Sequence, residues 1–334
     1  MSPLPTPLPD AAPDNWVDRV APTPWRPWLR LARLDRPIGV WLLMLPGWQG
    51  LALAAAAGGR WPDGRLMGLF AVGAVLLRSA GCAYNDIIDR DIDVRVARTA
   101  MRPIPAGQIS VAGAWRFVIA CALGGLALLL SLNLLSLYLG VASLGLVAAY
   151  PFMKRITWWP QAWLGLTFNR GVLLGFAAAL GGPACGWLLT LAARASVAGT
   201  NVSFVVPALP WAAGALYASG VFWTLGYDTI YAVQDLEDDA LIGVKSSARR
   251  LGAAAPRAVL GFYLASVGLA LIAGGLAGLG PFTFALVALF GMHLARQALQ
   301  LRAGDPDQAL RLFKSNAVAG LILFVGIVAG HWKG

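Results

Sequence analysis

Long runs of apolar residues alternate with short polar segments along almost the whole chain. Each run is close to twenty residues long, which is the length that an α-helix needs to cross the hydrocarbon core of a bilayer. The runs are continuous, whereas a transmembrane β-strand would alternate apolar and polar residues over about ten positions. The runs lie at about 38–58, 66–84, 111–131, 134–152, 161–181, 207–227, 257–277, 282–300 and 313–331. This pattern predicts an all-α, polytopic integral membrane protein with nine transmembrane helices.

Composition and charge support a membrane protein and indicate its orientation. Of the 334 residues, 58% are hydrophobic and 13% are charged. With nine spans, 19 of the 26 lysines and arginines fall on the side that holds the N-terminus, and four fall on the other side. The positive-inside rule therefore predicts an N-terminus in the cytoplasm for a bacterial inner membrane, or in the matrix for a mitochondrial inner membrane. The same bias explains the net charge of +10, so no nucleic-acid partner is expected. The sequence also gives no sign of a required protein partner.

The segment before the first span divides into two parts. Residues 1–24 are rich in proline and lack an apolar core, which predicts a disordered tail. Residues 25–34 carry Arg30 and Arg33 opposite apolar side chains, which predicts a short helix that lies in the membrane interface. Residues 25–334 are predicted to form a single membrane-embedded domain.

Nine of the sixteen acidic residues stand in two short clusters, each at the end of an apolar run. At 100° per residue, three aspartates of the first cluster fall within about 60° of one another and three of the second within about 40°. These candidate ligands are Asp86, Asp89 and Asp93 in the first cluster and Asp228, Asp235 and Asp239 in the second. Asp91, Glu237 and Asp238 do not fall on these helical faces, so we interpret them as flanking charges and not as ligands.

Basic residues follow each acidic cluster and also lie on the loop between them. Arg98 and Arg102 follow the first cluster, Lys245 follows the second, and Lys154 lies between. A bare metal site has no use for cations, whereas Mg²⁺ usually takes one or two carboxylates and completes its shell with phosphate and water. The pairing therefore predicts a Mg²⁺ ion that bridges carboxylates to a phosphate or diphosphate ester. A lipid diphosphate suits this site because its apolar part enters the bilayer.

Three runs of sequence resemble a known family. LRSAGCAYNDIIDRDIDVRVARTAMRPIPAG, YPFMKR and YDTIYAVQDLEDDALIGVKSSA are similar to the UbiA superfamily of intramembrane aromatic prenyltransferases, and to its branch that acts on 4-hydroxybenzoate. The resemblance extends from Leu34 to Trp332 and implies nine helices around a central cavity. It also implies Mg²⁺-dependent ionisation of a polyprenyl diphosphate and prenylation of 4-hydroxybenzoate ortho to its hydroxyl group, in ubiquinone biosynthesis. Two departures are the serine at 247, where threonine is expected, and Arg170, where relatives carry a neutral side chain.

The resemblance and the chemistry together imply three groups of site residues. The six aspartates named above are the expected metal-binding and catalytic residues, since neutralising the departing diphosphate promotes cleavage of an allylic C–O bond. The expected diphosphate ligands are Asn85, Arg98, Arg102, Lys154, Tyr231 and Lys245. An acceptor carboxylate needs a cation within the membrane, for which Arg78 is the first candidate and Arg170 the second. An allylic cation also needs a water-free pocket lined by aromatic rings, so that water cannot quench it. The candidates for this lining are Tyr84, Phe168, Phe222, Trp223 and Tyr231.

Other readings of the same residues stay open at this point. A related enzyme could use homogentisate or a naphthoate as its acceptor. A cation-coupled transporter would also need membrane carboxylates, although it would place them near the bilayer midplane on broken helices. Arg78 could instead snorkel to the membrane surface or pair with Asp86.

Overall fold

The fold is all-α, as predicted. The computed structural model describes residues 15–95, 99–181, 205–236, 240, 243–302 and 304–332. Within these ranges there is no β-strand, and eight helices are long and apolar enough to cross a membrane. A further helix, Val205–Ala232, has 28 residues and corresponds to the sixth predicted span. The predicted class of polytopic membrane protein is confirmed, while the central cavity stays a prediction.

Fourteen helices are defined in the described part of the chain, together with short 3₁₀ turns. Several predicted spans extend beyond their apolar runs, because the polar residues that follow continue the same helix. The helices are α1 Trp16–Arg19, α2 Arg26–Leu31, α3 Ile38–Ala57, α4 Gly64–Asp93, α5 Val111–Leu130, α6 Leu134–Ala142, α7 Leu144–Ile156, α8 Pro160–Leu180, α9 Val205–Ala232, α10 Ser247–Leu251, α11 Ala255–Leu276, α12 Pro281–Gln300, α13 Pro306–Lys314 and α14 Asn316–Ala329.

The segment just before α2 is folded, so the predicted disordered tail is wrong for residues 15–24. Asn15 caps α1 by accepting a hydrogen bond at 3.1 Å from the backbone N–H of Asp18. Asp18 also forms an ion pair with Arg30 at 2.6 Å, and Val17 is fully buried. A cap, an ion pair and a buried side chain together offset the entropy lost on ordering this segment. Residues 1–14 lie outside the described residues.

The predicted interfacial helix is also corrected. Residues 25–34 form the end of a 3₁₀ turn, the six-residue helix α2 and a short turn. Arg30 and Arg33, expected on a face toward lipid headgroups, are both buried. Each is neutralised by a carboxylate, Arg30 by Asp18 and Arg33 by Asp86, and a paired arginine can be buried where an unpaired one cannot.

The chain divides into two compact units, each described by itself. Unit 1 comprises residues 1–41 and 72–128, and unit 2 comprises residues 42–71 and 129–334. The single domain over 25–334 therefore stays a prediction. In unit 1, a buried apolar cluster packs one side of α2 against the last turns of α4 and the segment before α5. Its members include Leu31, Ala83, Ile87, Ile104 and Ile109.

Unit 2 is built around α9, which packs against α8 and α11. Trp223 of α9 is almost fully buried, contacts the rings of Tyr227 and Phe290, and donates a hydrogen bond at 2.8 Å to the Oδ1 atom of Asn316. The indole N–H thus has a partner inside the apolar core, as a buried tryptophan requires.

The fourth predicted span is broken into two helices. Asn133 caps α6 through the backbone N–H of Ser136 at 2.9 Å, and α6 ends where Ser143 separates it from α7. A helix break within the membrane frees backbone carbonyl groups that need donors. The Ser143 carbonyl is not left free, because it accepts the backbone N–H of Val147 at 3.2 Å, and the Nη1 atom of Arg170 in α8 adds a second hydrogen bond at 3.3 Å.

Helices α3 and α8 cross at glycines, where their backbones come into direct contact. A Cβ atom added at Gly175 would lie 3.1 Å from both the carbonyl carbon of Gly47 and the backbone nitrogen of Leu51. Backbone atoms cannot move aside as a flexible side chain can. Small residues allow this close approach of membrane helices, which is how such helices gain packing energy in a bilayer.

We expect Gly175→Ala to destabilise the protein by about 1–3 kcal/mol through overpacking at this crossing. The measurement is the thermal unfolding midpoint of purified protein in detergent. Gly268→Ala in α11 is the matched control, since a Cβ atom there meets nothing within 4 Å. Equal midpoints for the two variants would contradict the close α3–α8 contact.

Candidate active site

The end of α4 carries the first acidic cluster on a helix longer than the membrane requires. Its 30 residues span about 45 Å, against about 30 Å for the hydrocarbon core, so polar turns extend past the span. Asp86 and Asp89 are each 1% exposed and Asp93 is also buried, whereas the side chain of Asp91 is 82% exposed. The three aspartates therefore lie on a buried face of the helix and Asp91 lies on an exposed one. The metal role of the ligand face stays a prediction.

Two arginines neutralise the buried carboxylates. The Nη2 atom of Arg33 donates to both oxygens of Asp86, at 2.7 and 2.9 Å. The Nη1 atom of Arg102 donates to Asp93 at 2.9 Å and to Asp86 at 3.3 Å. Burial of ionised carboxylates is costly unless cations with good hydrogen-bond geometry accompany them. This face of unit 1 is therefore built to hold cationic groups against carboxylates.

Neutral polar side chains fix the geometry of the same cluster. Asn85 donates a hydrogen bond at 3.0 Å from Nδ2 to the Oδ2 atom of Asp89, four residues further along α4. The hydroxyl of Thr99 donates at 2.8 Å to the backbone carbonyl of Asp93, which lies in the last turn of the helix. Asn85, predicted to contact the diphosphate, thus orients a predicted metal ligand. Arg98 lies outside the described residues.

Arg78 lies on α4 two turns before Asn85, and its guanidinium occupies the space beside Gly39. A Cβ atom added at Gly39 would lie only 2.8 Å from the Cζ and Nη2 atoms of Arg78. Arg78 is half-buried in unit 1, as a cation for an acceptor within the membrane should be. The sequence singled out Arg78 but gave no reason to single out the glycine that leaves room for it.

The second acidic cluster begins on α9 in unit 2. Asp228 lies one turn before the end of the helix at Ala232, and a 3₁₀ turn, Val233–Asp235, follows. A 3₁₀ turn advances about 120° per residue, against about 100° in an α-helix. The segment from Asp228 to Asp235 is therefore not one continuous α-helix, and the shared ligand face of these aspartates stays a prediction. Asp239 lies outside the described residues, as do Glu237 and Asp238.

Tyr231 stands between these two aspartates, in the last turn of α9. Its ring packs on the ring of Phe313, with 4.6 Å between the centroids. Gln234 donates a hydrogen bond at 3.2 Å to the backbone carbonyl of Tyr231. The ring and the carbonyl are thus both held, which fixes the direction of the side chain.

Two predicted diphosphate ligands, Lys154 and Lys245, come together although they are far apart in sequence. The backbone N–H of Lys245 donates at 2.9 Å to the backbone carbonyl of Lys154. The Nζ atom of Lys245 donates at 3.1 Å to the carbonyl of Ile156, at the end of α7. A lysine near a helix C-terminus complements the unpaired carbonyls there. The loop that follows the second cluster is thereby joined to α7.

The serines after Lys245 fasten the same loop to α8 and α9. Ser246 caps α10 by accepting a hydrogen bond from the backbone N–H of Arg249 at 3.4 Å. Ser247 bonds the hydroxyl of Thr229 at 2.7 Å and donates its backbone N–H to the Oε1 atom of Gln161 at 3.0 Å. Serine and threonine both carry a hydroxyl, so the serine at 247 supplies the group that the expected threonine would also offer to Thr229.

The remaining predicted residues have environments that differ widely. Arg170, the second acceptor candidate, donates to the carbonyl at the break between α6 and α7. Trp223 packs inside the core of unit 2, Phe168 is buried, and Phe222 is partly exposed. Tyr84 contacts the ring of Trp115, with 5.9 Å between the centroids. Burial inside the packed core gives Trp223 a structural role, whereas Tyr84 lies next to the first cluster.

Arg33 is the site residue that the sequence reading missed. It was assigned to a membrane-facing helix, because the arginines before α3 recur at helical spacing. The distribution of basic residues gives one indication, because it places all these arginines on the same side of the membrane as the acidic clusters. That signal does not single out Arg33 among them.

The donor set fits a hard divalent cation, although the carboxylates do not meet at one point. Within the described ranges, no group of three or more His, Cys, Asp or Glu side chains converges as a metal site. Asp86 and Asp93 are seven residues apart, about 10 Å along the helix, and the Nη1 atom of Arg102 bridges their carboxylates. Mg²⁺ prefers oxygen ligands and takes one or two carboxylates, which Asp86 and Asp89 can supply.

Comparisons with known proteins agree on one family. Residues 43–325 match the model of the UbiA prenyltransferase family. A mitochondrial 4-hydroxybenzoate polyprenyltransferase of Bos taurus is 45% identical over 311 residues, which cover 93% of this chain and 77% of that protein. The protein of the same name in Homo sapiens is 44% identical over 314 residues, with coverage of 94% and 78%.

Solved structures also share the fold. The apo structure of a UbiA homolog from Aeropyrum pernix K1 has a TM-score of 0.68 and 29% identity, covering 86% of this chain and 96% of that chain. A UbiA homolog from Archaeoglobus fulgidus, solved with GPP and Mg²⁺, has a TM-score of 0.54 and 17% identity, covering 91% and 99%. The second likeness is evidence of the fold alone.

We expect Arg102→Ala to lower the stability of the metal-free protein by about 1–3 kcal/mol, because Asp86 and Asp93 both lose a hydrogen-bonding cation. The measurement is thermal unfolding in detergent with EDTA present. Arg116→Ala is the control, since it removes the same charge from an exposed position on α5. A variant as stable as this control would show that the Arg102 contacts contribute nothing.

Proposed function

Because the chain belongs to the UbiA prenyltransferase family, we propose that it transfers a polyprenyl group from polyprenyl diphosphate to 4-hydroxybenzoate. The new bond forms at the ring carbon ortho to the hydroxyl, giving 3-polyprenyl-4-hydroxybenzoate and diphosphate in ubiquinone biosynthesis. The observation that carries this proposal is 44–45% identity to enzymes of that name over more than 90% of the chain. The chemistry of the described side chains supports it independently.

The three aspartates of α4 are the proposed binding groups for the metal. Asp86 and Asp89 are buried oxygen donors, and Asp86 already binds cationic guanidinium groups. Bound Mg²⁺ would supply positive charge to the departing diphosphate. Asn85 keeps Asp89 oriented, and Arg102 holds Asp93 and Asp86 at a fixed separation.

In unit 2, Asp228, Asp235 and Asp239 are proposed as further metal ligands. Lys154 and Lys245, whose backbones are hydrogen-bonded, are proposed to bind the diphosphate together with Arg98 and Tyr231. The allylic C–O bond breaks with its electron pair leaving on the diphosphate, the ring carbon bonds the prenyl carbon, and the ring loses its proton. Cations aimed at the leaving oxygens favour the first of these events, since charge develops there.

Arg78 is proposed to bind the carboxylate of 4-hydroxybenzoate. It lies within the span of α4, two turns from the acidic cluster, and its guanidinium has a fixed place beside Gly39. A planar guanidinium binds a carboxylate through two parallel hydrogen bonds, which orients the ring as well as holding it. Arg170 is the weaker candidate, because it already bonds the Ser143 carbonyl.

The protein is integral to the membrane. We propose a bacterial inner membrane, or a mitochondrial one in a eukaryote, with the acidic clusters on the cytoplasmic or matrix side. This orientation is supported by the 19 basic residues on the side of the N-terminus, against four on the other side.

The test of the activity supplies membranes that contain this protein with 4-hydroxybenzoate, a polyprenyl diphosphate and Mg²⁺. We expect 3-polyprenyl-4-hydroxybenzoate to form, and to fall at least about 100-fold with EDTA or with Asp86→Ala, because charge stabilisation of this kind contributes that much to rate. Product is measured by mass spectrometry. Absence of product would refute the assignment, and product undiminished by either treatment would refute the metal–diphosphate mechanism.

Gly39→Ala should displace the Arg78 guanidinium and raise the KM for 4-hydroxybenzoate, while the KM for the polyprenyl diphosphate stays the same. The new Cβ atom takes the space of a flexible side chain, so Arg78 moves and the fold survives. Steady-state kinetics with each substrate varied in turn provide the measurement.

The control for this variant is the same change in an Arg78→Leu background. If Gly39 acts through Arg78, Gly39→Ala adds nothing once the guanidinium is gone. Additive effects of the two changes would show that Gly39 acts elsewhere, and a rise in the KM for the diphosphate instead would assign Arg78 to the wrong substrate.

A further inference from the structure

We propose that one corner of unit 2 is a binding site for an anionic phospholipid. The corner is formed by the loop between α7 and α8, by α10 and by the first turns of α11. Arg250 and Arg257 bind the phosphate of the lipid, and its acyl chains lie along the outer face of α11. Neither arginine is among the residues proposed to bind the metal or the substrates, so the inference does not depend on the proposed function.

Two contacts join the parts of this corner. The guanidinium of Arg249 in α10 lies over the ring of Trp158, with 5.6 Å between the Cζ atom and the ring centroid. The ring of Trp159, which directly precedes α8, packs edge-on against Phe262 of α11, with 6.2 Å between the centroids. The loop, α10 and α11 therefore form one continuous surface.

The two tryptophans mark the edge of the membrane. Trp158 and Trp159 are 36% and 37% exposed, and they lie between two helices of spanning length. Tryptophan is enriched at the boundary between hydrocarbon and water. Arg257 precedes Phe262 by five residues, so it lies about 7 Å nearer to water than the level of Trp159. The headgroup layer extends about 5–8 Å beyond the hydrocarbon core, so Arg257 lies at the depth of the lipid phosphates.

The polar part of this corner is basic. Arg155, Arg250 and Arg257 are all exposed. In the part of the chain that the structure describes, neither Arg250 nor Arg257 has a carboxylate partner. A guanidinium binds phosphate oxygens through paired hydrogen bonds, and basic pockets between membrane helices bind anionic headgroups. Charge complementarity therefore favours a lipid with a net negative charge over a zwitterionic one.

Below the arginines, α11 offers an apolar face to the acyl chains. Leu264 and Leu271 follow Arg257 at steps of seven residues, which places all three within about 40° of one another on the helix. The two leucines are 64% and 38% exposed. A lipid covers this face with its chains, whereas a free phosphate ion gains nothing from it. An exposed apolar stripe that ends in a cation therefore suits a phospholipid better than a soluble anion.

The test measures lipid binding to delipidated protein in detergent by native mass spectrometry. Phosphatidylglycerol and phosphatidylcholine with the same acyl chains are the two probes. We expect the unchanged protein to bind phosphatidylglycerol more tightly. The double variant Arg250→Gln, Arg257→Gln should lose about 5-fold in this affinity per arginine, because each cation near the lipid phosphates contributes about that much. Its affinity for phosphatidylcholine should stay the same.

The matched control is Arg60→Gln, Arg65→Gln, which removes two exposed positive charges from another part of unit 2 and should change neither affinity. Arg257→Gln alone carries the test if the double variant does not fold. Equal affinity of the unchanged protein for the two lipids would overturn the proposal, as would equal losses in the two double variants.

Competition separates the lipid from other sources of phosphate. Inorganic phosphate and a polyprenyl diphosphate are each added at the concentration of the phosphatidylglycerol, and we expect the phospholipid to stay bound. Displacement by inorganic phosphate would show that the arginines bind any phosphate anion, and displacement by the polyprenyl diphosphate would assign the corner to that molecule. Either result would overturn the proposal. No prenyl transfer is measured, so failure of this inference and failure of the proposed activity are separate results.

Discussion

The burial of carboxylates at the end of a membrane helix is the constraint on which the site depends. Asp86, Asp89 and Asp93 are removed from water by the packing of unit 1, and an ionised carboxylate without a partner would not survive there. The cations that pair with Asp86 and Asp93 come from two separate segments, Arg33 from the turn after α2 and Arg102 from the loop before α5. The pairing of these charges therefore determines how the polar part of unit 1 folds. The buried apolar cluster holds α2 and the segment before α5 at a fixed distance from the last turns of α4.

The same demand explains why the N-terminal segment is ordered. Arg30 and Arg33 flank Leu31 and Ala32, and all four side chains are buried. The apolar pair packs into unit 1, and each arginine finds a carboxylate. A helix of this composition in isolation would lie at a membrane surface, since its charges would have no other partner. The carboxylate of Asp86, 53 residues away from Arg33, changes that outcome.

Local sequence signals predicted the parts of the structure that depend on local physics. Continuous hydropathy predicted the spans, and helical phase on an unbroken α4 separated the buried Asp89 from the exposed Asp91. For the second cluster, α9 gives way to a 3₁₀ turn before Asp235, so the constant angle of about 100° per residue that the prediction assumes does not hold there. The pairing of Arg33 with Asp86 could not be predicted, because a partner so far away in sequence is fixed only by the fold.

Arginine and divalent metal ions are alternative solutions to one electrostatic problem, which is how a buried anionic face stays folded when its ligands come and go. Arginine offers donors on separate nitrogens: Nη2 of Arg33 bonds both oxygens of Asp86, while Nη1 bonds the Arg30 carbonyl. Lysine has one nitrogen and would have to make all of these contacts from a single point. A guanidinium also cannot lose its proton to escape burial, so it must always keep an anionic partner. The folded state of unit 1 therefore depends on the same carboxylates that are proposed as metal ligands.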